Sequence, residues 1–196
     1  MLQPPSTQQS NTHKVFVSFH HADQQYRNQF DEKFGQHFIS MSVDYGDIEP
    51  QNTDDTIKRL VQEDHIIHSS VVFALYGAQT YQRKHVDWEI SAALSKKVGG
   101  HKGLVIMLLP GFPISPYNSM NHYEPSRIYP YLHPRTAANL SSGYADLYYW
   151  PGLFAGLPGV KPATIPAIIQ KAFIKRDSHS HLIDNSHEQY HRNLGQ

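Results

Sequence analysis

The chain has 196 residues, long enough to bury a real core as a single domain. Lys and Arg total 17 and Asp and Glu also total 17, so no overall field steers it toward nucleic acid or an anionic surface. Cysteine is absent, which excludes a disulfide framework and thiolate chemistry and suits a reducing compartment.

The first stretch, MLQPPSTQQSNTHK, is polar and proline-bearing, without the charged head and greasy run of a leader. Residues 1–13 are expected to be flexible. No apolar run approaches bilayer-spanning length, so the expected setting is cytoplasmic, with neither membrane nor nucleic acid as a partner. KVFVSF (14–19) is β-branched and aromatic with little polar interruption, as in a strand buried on both faces. Asp23 is placed to cap a helix whose Tyr26, Phe30 and Phe34 share one stripe. FISMSVD (38–44) reads as a second strand. Thr53 is the expected cap of the next helix, with Asp54 and Asp55 in its first turn and Ile57, Leu60 and Val61 at helical spacing. SSVVFALYG (69–77) is a third buried strand. Thr80 is then the expected cap of a helix whose core stripe is Val86, Ile90, Ala93 and Leu94. GLVIMLLPG (103–111) is the fourth strand.

Strand–helix alternation repeated four times predicts an α/β fold, a doubly wound and mostly parallel sheet covered on both faces. The expected domain runs over 14–176. Within it, residues 110–146 are rich in Pro, Tyr, Ser and Asn and keep no period, which predicts a long irregular insertion. LYYW (147–150) is a candidate last strand and TIPAIIQKAFIK (164–175) a closing helix; residues 177–196 read as a polar, His-rich tail. In that tail HEQYH (187–191) fits a zinc-protease pattern, but it has no apolar face and none of the five residues after it is a sensible third ligand; His179 or His181 could supply one in principle, yet no metal is expected. No glycine-rich phosphate loop follows the first strand, and GGHKG lacks the spacing of a P-loop.

In an open parallel sheet, ligands bind beyond the carboxyl ends of the strands. Those ends carry Ser18, Phe19 and His20, then Asp44 and Tyr45, then Tyr76 and Gly77, with Tyr81 just beyond. Aromatics and carboxylates suit a ligand with flat rings and ribose hydroxyls. Glu89 lies about 80° from the centre of its helix's apolar stripe, at the edge of the buried face, and His85 lies on the same side one turn earlier. A carboxylate there is either an ordinary boundary residue or a partly desolvated group aimed across the sheet. Arg83 and Lys84 stand at the start of that helix, where cations oppose the helix dipole. Either they are solvated, or with the free N–H groups they meet an anion such as a pyrophosphate.

Three segments, KVFVSFHHAD, TDDTIKRLV and VVFALYGAQTYQRKHVDWEI, together resemble a TIR-like domain, and in particular the ThsB group of TIR proteins of the bacterial Thoeris anti-phage system, over about residues 14–109. The resemblance gives Glu89 the position of the TIR catalytic glutamate and puts Ser18, Phe19 and His20 in the loop flanking the nucleotide pocket. His85 departs from the pattern, which has Trp there. The implied activity is cleavage of NAD, as substrate and not cofactor, at the nicotinamide–ribose bond. The ADP-ribose product would be cyclised or conjugated into a diffusible messenger for a separate effector. Implied partners are other TIR chains by self-assembly and a phage-derived trigger. Two alternatives stand beside this: a non-catalytic TIR assembly module, and a sensor that binds a nucleotide without turning it over. Phe19, Tyr45, Tyr76 and Tyr81 are the candidates to stack on nicotinamide or adenine, and the Tyr-rich segment 110–150 is the candidate cover that excludes water.

Overall fold

The computed structural model describes residues 13–41, 65–150 and 164–195. Five strands form one sheet: β1 (Lys14–Ser18), β2 (Ile39–Ser40), β3 (Val71–Tyr76), β4 (Gly103–Leu108) and β5 (Asp146–Tyr149). All four pairings are parallel, in the order β2-β1-β3-β4-β5. The described helices are α1 (Gln24–Phe34), α2 (Lys84–Ala93), α3 (Pro134–Ser141) and α4 (Ile165–Ser178).

Every residue of β3 and β4 is buried, because each strand is central and each face is covered. The period-2 alternation of strand side chains sorts the core into two layers. Phe16, Val72, Ala74, Tyr76, Leu104, Ile106 and Leu108 pack with Val86, Ile90 and Ala93 of α2. Val15, Val17, Val71, Phe73, Leu75, Val105 and Met107 pack with Phe30 of α1 and Ile165, Ile168, Ile169 and Ala172 of α4. The molecule is thus doubly wound, as its alternation predicts. α4 seats closely on the sheet at Gly103, where a Cβ would sit 2.2 Å from the backbone oxygen of Ala172.

Several local expectations change. Asp23 precedes α1 but makes no side-chain cap; its carboxylate accepts a hydrogen bond from Thr80 Oγ1 at 3.2 Å instead. Thr80 does not cap α2 either: it opens a 3-10 turn (Thr80–Gln82), its Oγ1 accepts from the Gly77 N–H at 2.9 Å, and α2 starts only at Lys84. Both cap signals lose to one tertiary contact that ties the ends of β1 and β3 together. Of the second expected strand, FISMSVD (38–44), Ile39 and Ser40 pair with β1 among the described residues, and residues 42–44 lie outside them. The helix expected after Thr53, together with Asp54, Asp55, Ile57, Leu60 and Val61, lies outside the described residues, as does the N-terminal segment before His13.

Segment 110–146 is less irregular than its composition predicts. It holds a tight Tyr117–Tyr123 bridge, a 3-10 stretch (Pro125–Tyr131) and α3, with Phe112, Ile128 and Leu132 in the α2 layer. The polar tail is not loose. Residues 179–195 turn back across α2 and α3, where Trp88 Nε1 donates to the Tyr190 carbonyl at 2.8 Å and the Leu194 N–H to the Gln82 carbonyl at 2.9 Å. Among the described residues no helix is long and apolar enough to cross a membrane, and no group of three His, Cys, Asp or Glu side chains is placed to hold a metal ion.

Candidate active site

The strand order reverses direction between β1 and β3, and their carboxyl ends therefore frame the crevice in which ligands of such sheets sit. Parity decides what each residue there does. Ser18 shares the side of Phe16 and faces α2; Phe19 falls to the other side and packs against the α1 layer; His20 returns to the α2 side.

Ser18 is 1% exposed and its Oγ donates to Glu89 Oε2 at 2.5 Å. That one bond joins the last residue of β1 to the middle of α2. Glu89 keeps some exposed surface and forms no ion pair among the described residues, so it is neither a core residue nor matched by a cation there. Withdrawal from water pushes its pKa up to about 8, and the Ser18 hydrogen bond only partly opposes that. The sequence angle, at the margin of the apolar stripe, is the geometry observed: Val86 and Ile90 are in the core and Glu89 borders it.

Around this pair the rim is built from four further groups. His20 is buried, and burial, with the nearby Arg83 guanidinium and His21 adding to it, holds it down to about 4, so it is neutral at physiological pH. Arg83 Nη2 donates to Gln79 Oε1 at 2.7 Å, while its buried Nε has no hydrogen-bond partner among the described residues. Asp23 lies across the strand end, where burial raises its pKa against the pull of Thr80 and His21. A Cβ on Gly77 would stand 2.3 Å from both Asp23 carboxylate oxygens, so this approach needs glycine at 77. Tyr81 is half-buried, edge-on to Tyr131 at 5.8 Å, which links the rim to segment 110–146.

Other expected site residues are placed elsewhere. Tyr76 is fully buried, with its hydroxyl 2.7 Å from His133 Nδ1 and 2.8 Å from Thr136 Oγ1, and offers no face to a ligand. Its parity with Val72 and Ala74 turns it into the α2 layer. Lys84 does not join Arg83: its Nζ stands 5.2 Å over the Trp88 ring and its N–H donates to Asn193 Oδ1 at 3.1 Å. One helix-start N–H expected to meet an anion is therefore already used. His85 packs edge-on against Trp88 at 4.8 Å. Asp44 and Tyr45 lie outside the described residues.

Sequence reasoning missed Asp23 as a rim residue and missed the buried polar support behind α2. His133, fully buried and held down to about 4 by burial, reaches the Arg83 carbonyl with Nε2 at 3.1 Å. A carbonyl only accepts, so Nε2 carries the proton and Nδ1 accepts from the Tyr76 hydroxyl. No spacing in the sequence marks such a residue, because its partners come from separate elements.

A crevice with a partly desolvated carboxylate, a hydroxyl donor, a neutral imidazole and a guanidinium can hold a polyol and steady positive charge growing beside the carboxylate. The family model described as Thoeris protein ThsB, TIR-like domain, matches residues 16–111, from β1 through the turn after β4. No curated protein sequence and no solved structure gives a significant match.

Proposed function

From the match of residues 16–111 to the TIR-like domain model of the Thoeris protein ThsB, which supports a role in Thoeris defence, we propose that the chain is an NAD-consuming enzyme with Glu89 as its catalytic carboxylate. In this reading NAD binds across the β1–β3 crevice with its nicotinamide riboside against Glu89. The bond between ribose C1′ and the nicotinamide nitrogen breaks, its electron pair leaves with nicotinamide, and C1′ becomes an oxocarbenium ion. Because nicotinamide departs as a neutral molecule, no acid has to protonate it. What lowers the barrier is negative charge beside C1′, the role carboxylates play in glycoside cleavage.

The raised pKa of Glu89 fits this chemistry. Burial alone makes the carboxyl resist ionisation; a cationic nicotinamide riboside beside it reverses that balance, so charge develops where the reaction needs it. A nucleophile from the same or another molecule then attacks C1′, gives up its proton, and leaves a cyclic or conjugated ADP-ribose able to act as messenger for a separate effector. Arg83, the helix-start cation that faces the rim, is the remaining candidate for the pyrophosphate.

The observation that carries the proposal is the Ser18–Glu89 hydrogen bond at the switch point of the sheet, with no cation neutralising Glu89 among the described residues. A non-catalytic assembly module has no need of a desolvated, unpaired acid there. The test follows nucleotide products by mass spectrometry in phage-infected cells carrying wild type or Glu89→Gln. Release of nicotinamide and an ADP-ribose derivative by wild type alone is expected. Equal product from both would remove Glu89 from the mechanism.

A further inference from the structure

The helix that bears Glu89 is gripped from the side opposite the crevice. Asp87, two residues before it, is 1% exposed and its two carboxylate oxygens are divided between two partners. Oδ1 accepts from Arg135 Nε at 2.6 Å, and Oδ2 accepts from the Tyr190 N–H at 2.8 Å. Arg135, on α3, is itself 1% exposed. It spends its other donors on the C-terminal segment, Nη1 on Asn185 Oδ1 and Nη2 on the His187 carbonyl at 2.7 Å.

That segment returns to α2 repeatedly. Asn185 Nδ2 donates to the Ser91 carbonyl at 2.9 Å, Asn193 Oδ1 accepts from the Lys84 N–H, and Tyr190 and Leu194 bond to Trp88 and Gln82. Asn139 of α3 fixes the segment's start by bonding both the carbonyl and the N–H of Asp184, at 2.6 and 3.1 Å. None of Arg135, Asn139 or residues 184–194 lies in the matched family region.

On the crevice side, among the described residues, Glu89 is held by Ser18. A helix with its side chains is about 10–12 Å across, so a roll of about 10° moves a side-chain tip by about 1 Å. That is enough to break a hydrogen bond of 2.5 Å, and a displacement of this size costs about a hundredfold when it misplaces a reacting group. The rotation of α2 is therefore set where it is gripped most.

We propose that Arg135 is a positioning residue: by coupling Asp87 to residues 184–194, it fixes the roll of α2 and so the meeting of Glu89 with Ser18. The kinetic consequence rests on the NAD-cleaving reading above; the geometric one does not.

The test uses the full chain with 13C-labelled glutamate, the Glu89 carboxyl resonance being assigned by its loss in Glu89→Gln. Titration is compared in wild type, in Arg135→Lys, which keeps the buried cation but not the fork, and in Asn185→Ala/Asn193→Ala, whose positions are only partly buried. In both variants the Glu89 midpoint is expected to fall by about one pH unit or more from its wild-type value, because water reaching the carboxyl relieves the larger, raising cause and outweighs the lost Ser18 hydrogen bond. With NAD, kcat falls about tenfold to a hundredfold while KM stays within about twofold. An unmoved titration in a folded variant overturns the proposal, whatever happens to melting temperature or turnover. Should Arg135→Lys not fold, the asparagine pair decides alone. A titration that moves in a protein that never cleaves NAD upholds the clamp and defeats only the NAD reading.

Discussion

Glu89→Gln separates the cost of an ionised acid in the crevice from every other role of that residue. Gln is isosteric and still accepts from Ser18, so the variant loses only the charge. Folding lifts the carboxyl from an ordinary value of 4.5 to about 8. Between those values the folded chain holds a proton that the unfolded chain has released, so stability falls as pH rises through that window and stays reduced above it. At about 1.36 kcal/mol per pH unit the penalty has a ceiling of about 5 kcal/mol, and water reaching the partly exposed carboxyl reduces it to about 2 kcal/mol. The variant is therefore expected to match wild type at pH 5 and to exceed it at pH 9 by about 2 kcal/mol, or about 4–8 °C in melting temperature for a chain of this length. Urea unfolding at pH 5, 7 and 9 measures the gap. A gap that does not change with pH, or a variant that is the weaker one at pH 9, refutes the desolvated carboxylate and the reasoning built on it.

Turnover depends on the ionised form, so kcat/KM for NAD is expected to rise with pH and level off above about 8, the value Glu89 takes in the free protein; a profile flat from pH 6 to 9 contradicts this. Ser18→Ala removes the hydrogen bond that holds the Glu89 pKa down, and should move the same profile upward by about one pH unit. Gly103→Ala drives a methyl into the backbone of α4 and is expected to cost about 1–3 kcal/mol in urea unfolding. Gly77→Ala meets first the movable carboxylate of Asp23, so it should cost less stability while breaking the Asp23–Thr80 contact, visible as an Asp23 titration shifted further above the ordinary carboxyl range.

Much of the sheet is legible in the sequence because its central strands advertise themselves. VVFALY and GLVIML are unbroken apolar runs, and only a strand covered on both faces needs that pattern. The margin position of Glu89 is equally legible, being fixed by helical geometry against Val86 and Ile90. Caps were misread at Asp23 and Thr80 because the signal is local, while both side chains serve a contact between strand ends 57 residues apart. Tyr76 was misread because closeness to a strand end was weighed above the parity that turns it inward. The C-terminal segment left no trace because it is held by single polar bonds to partners about a hundred residues away, and such bonds impose no periodicity.

Pairing of β5 with β4 along Val105–Leu108, together with the seating of α4 on Gly103, bears on any attempt to trim the chain. A piece cut to residues 16–111 would bare the rim of β4 and strip the layer beneath it. Such a piece is a template for stacking with its own copies, not a smaller working unit.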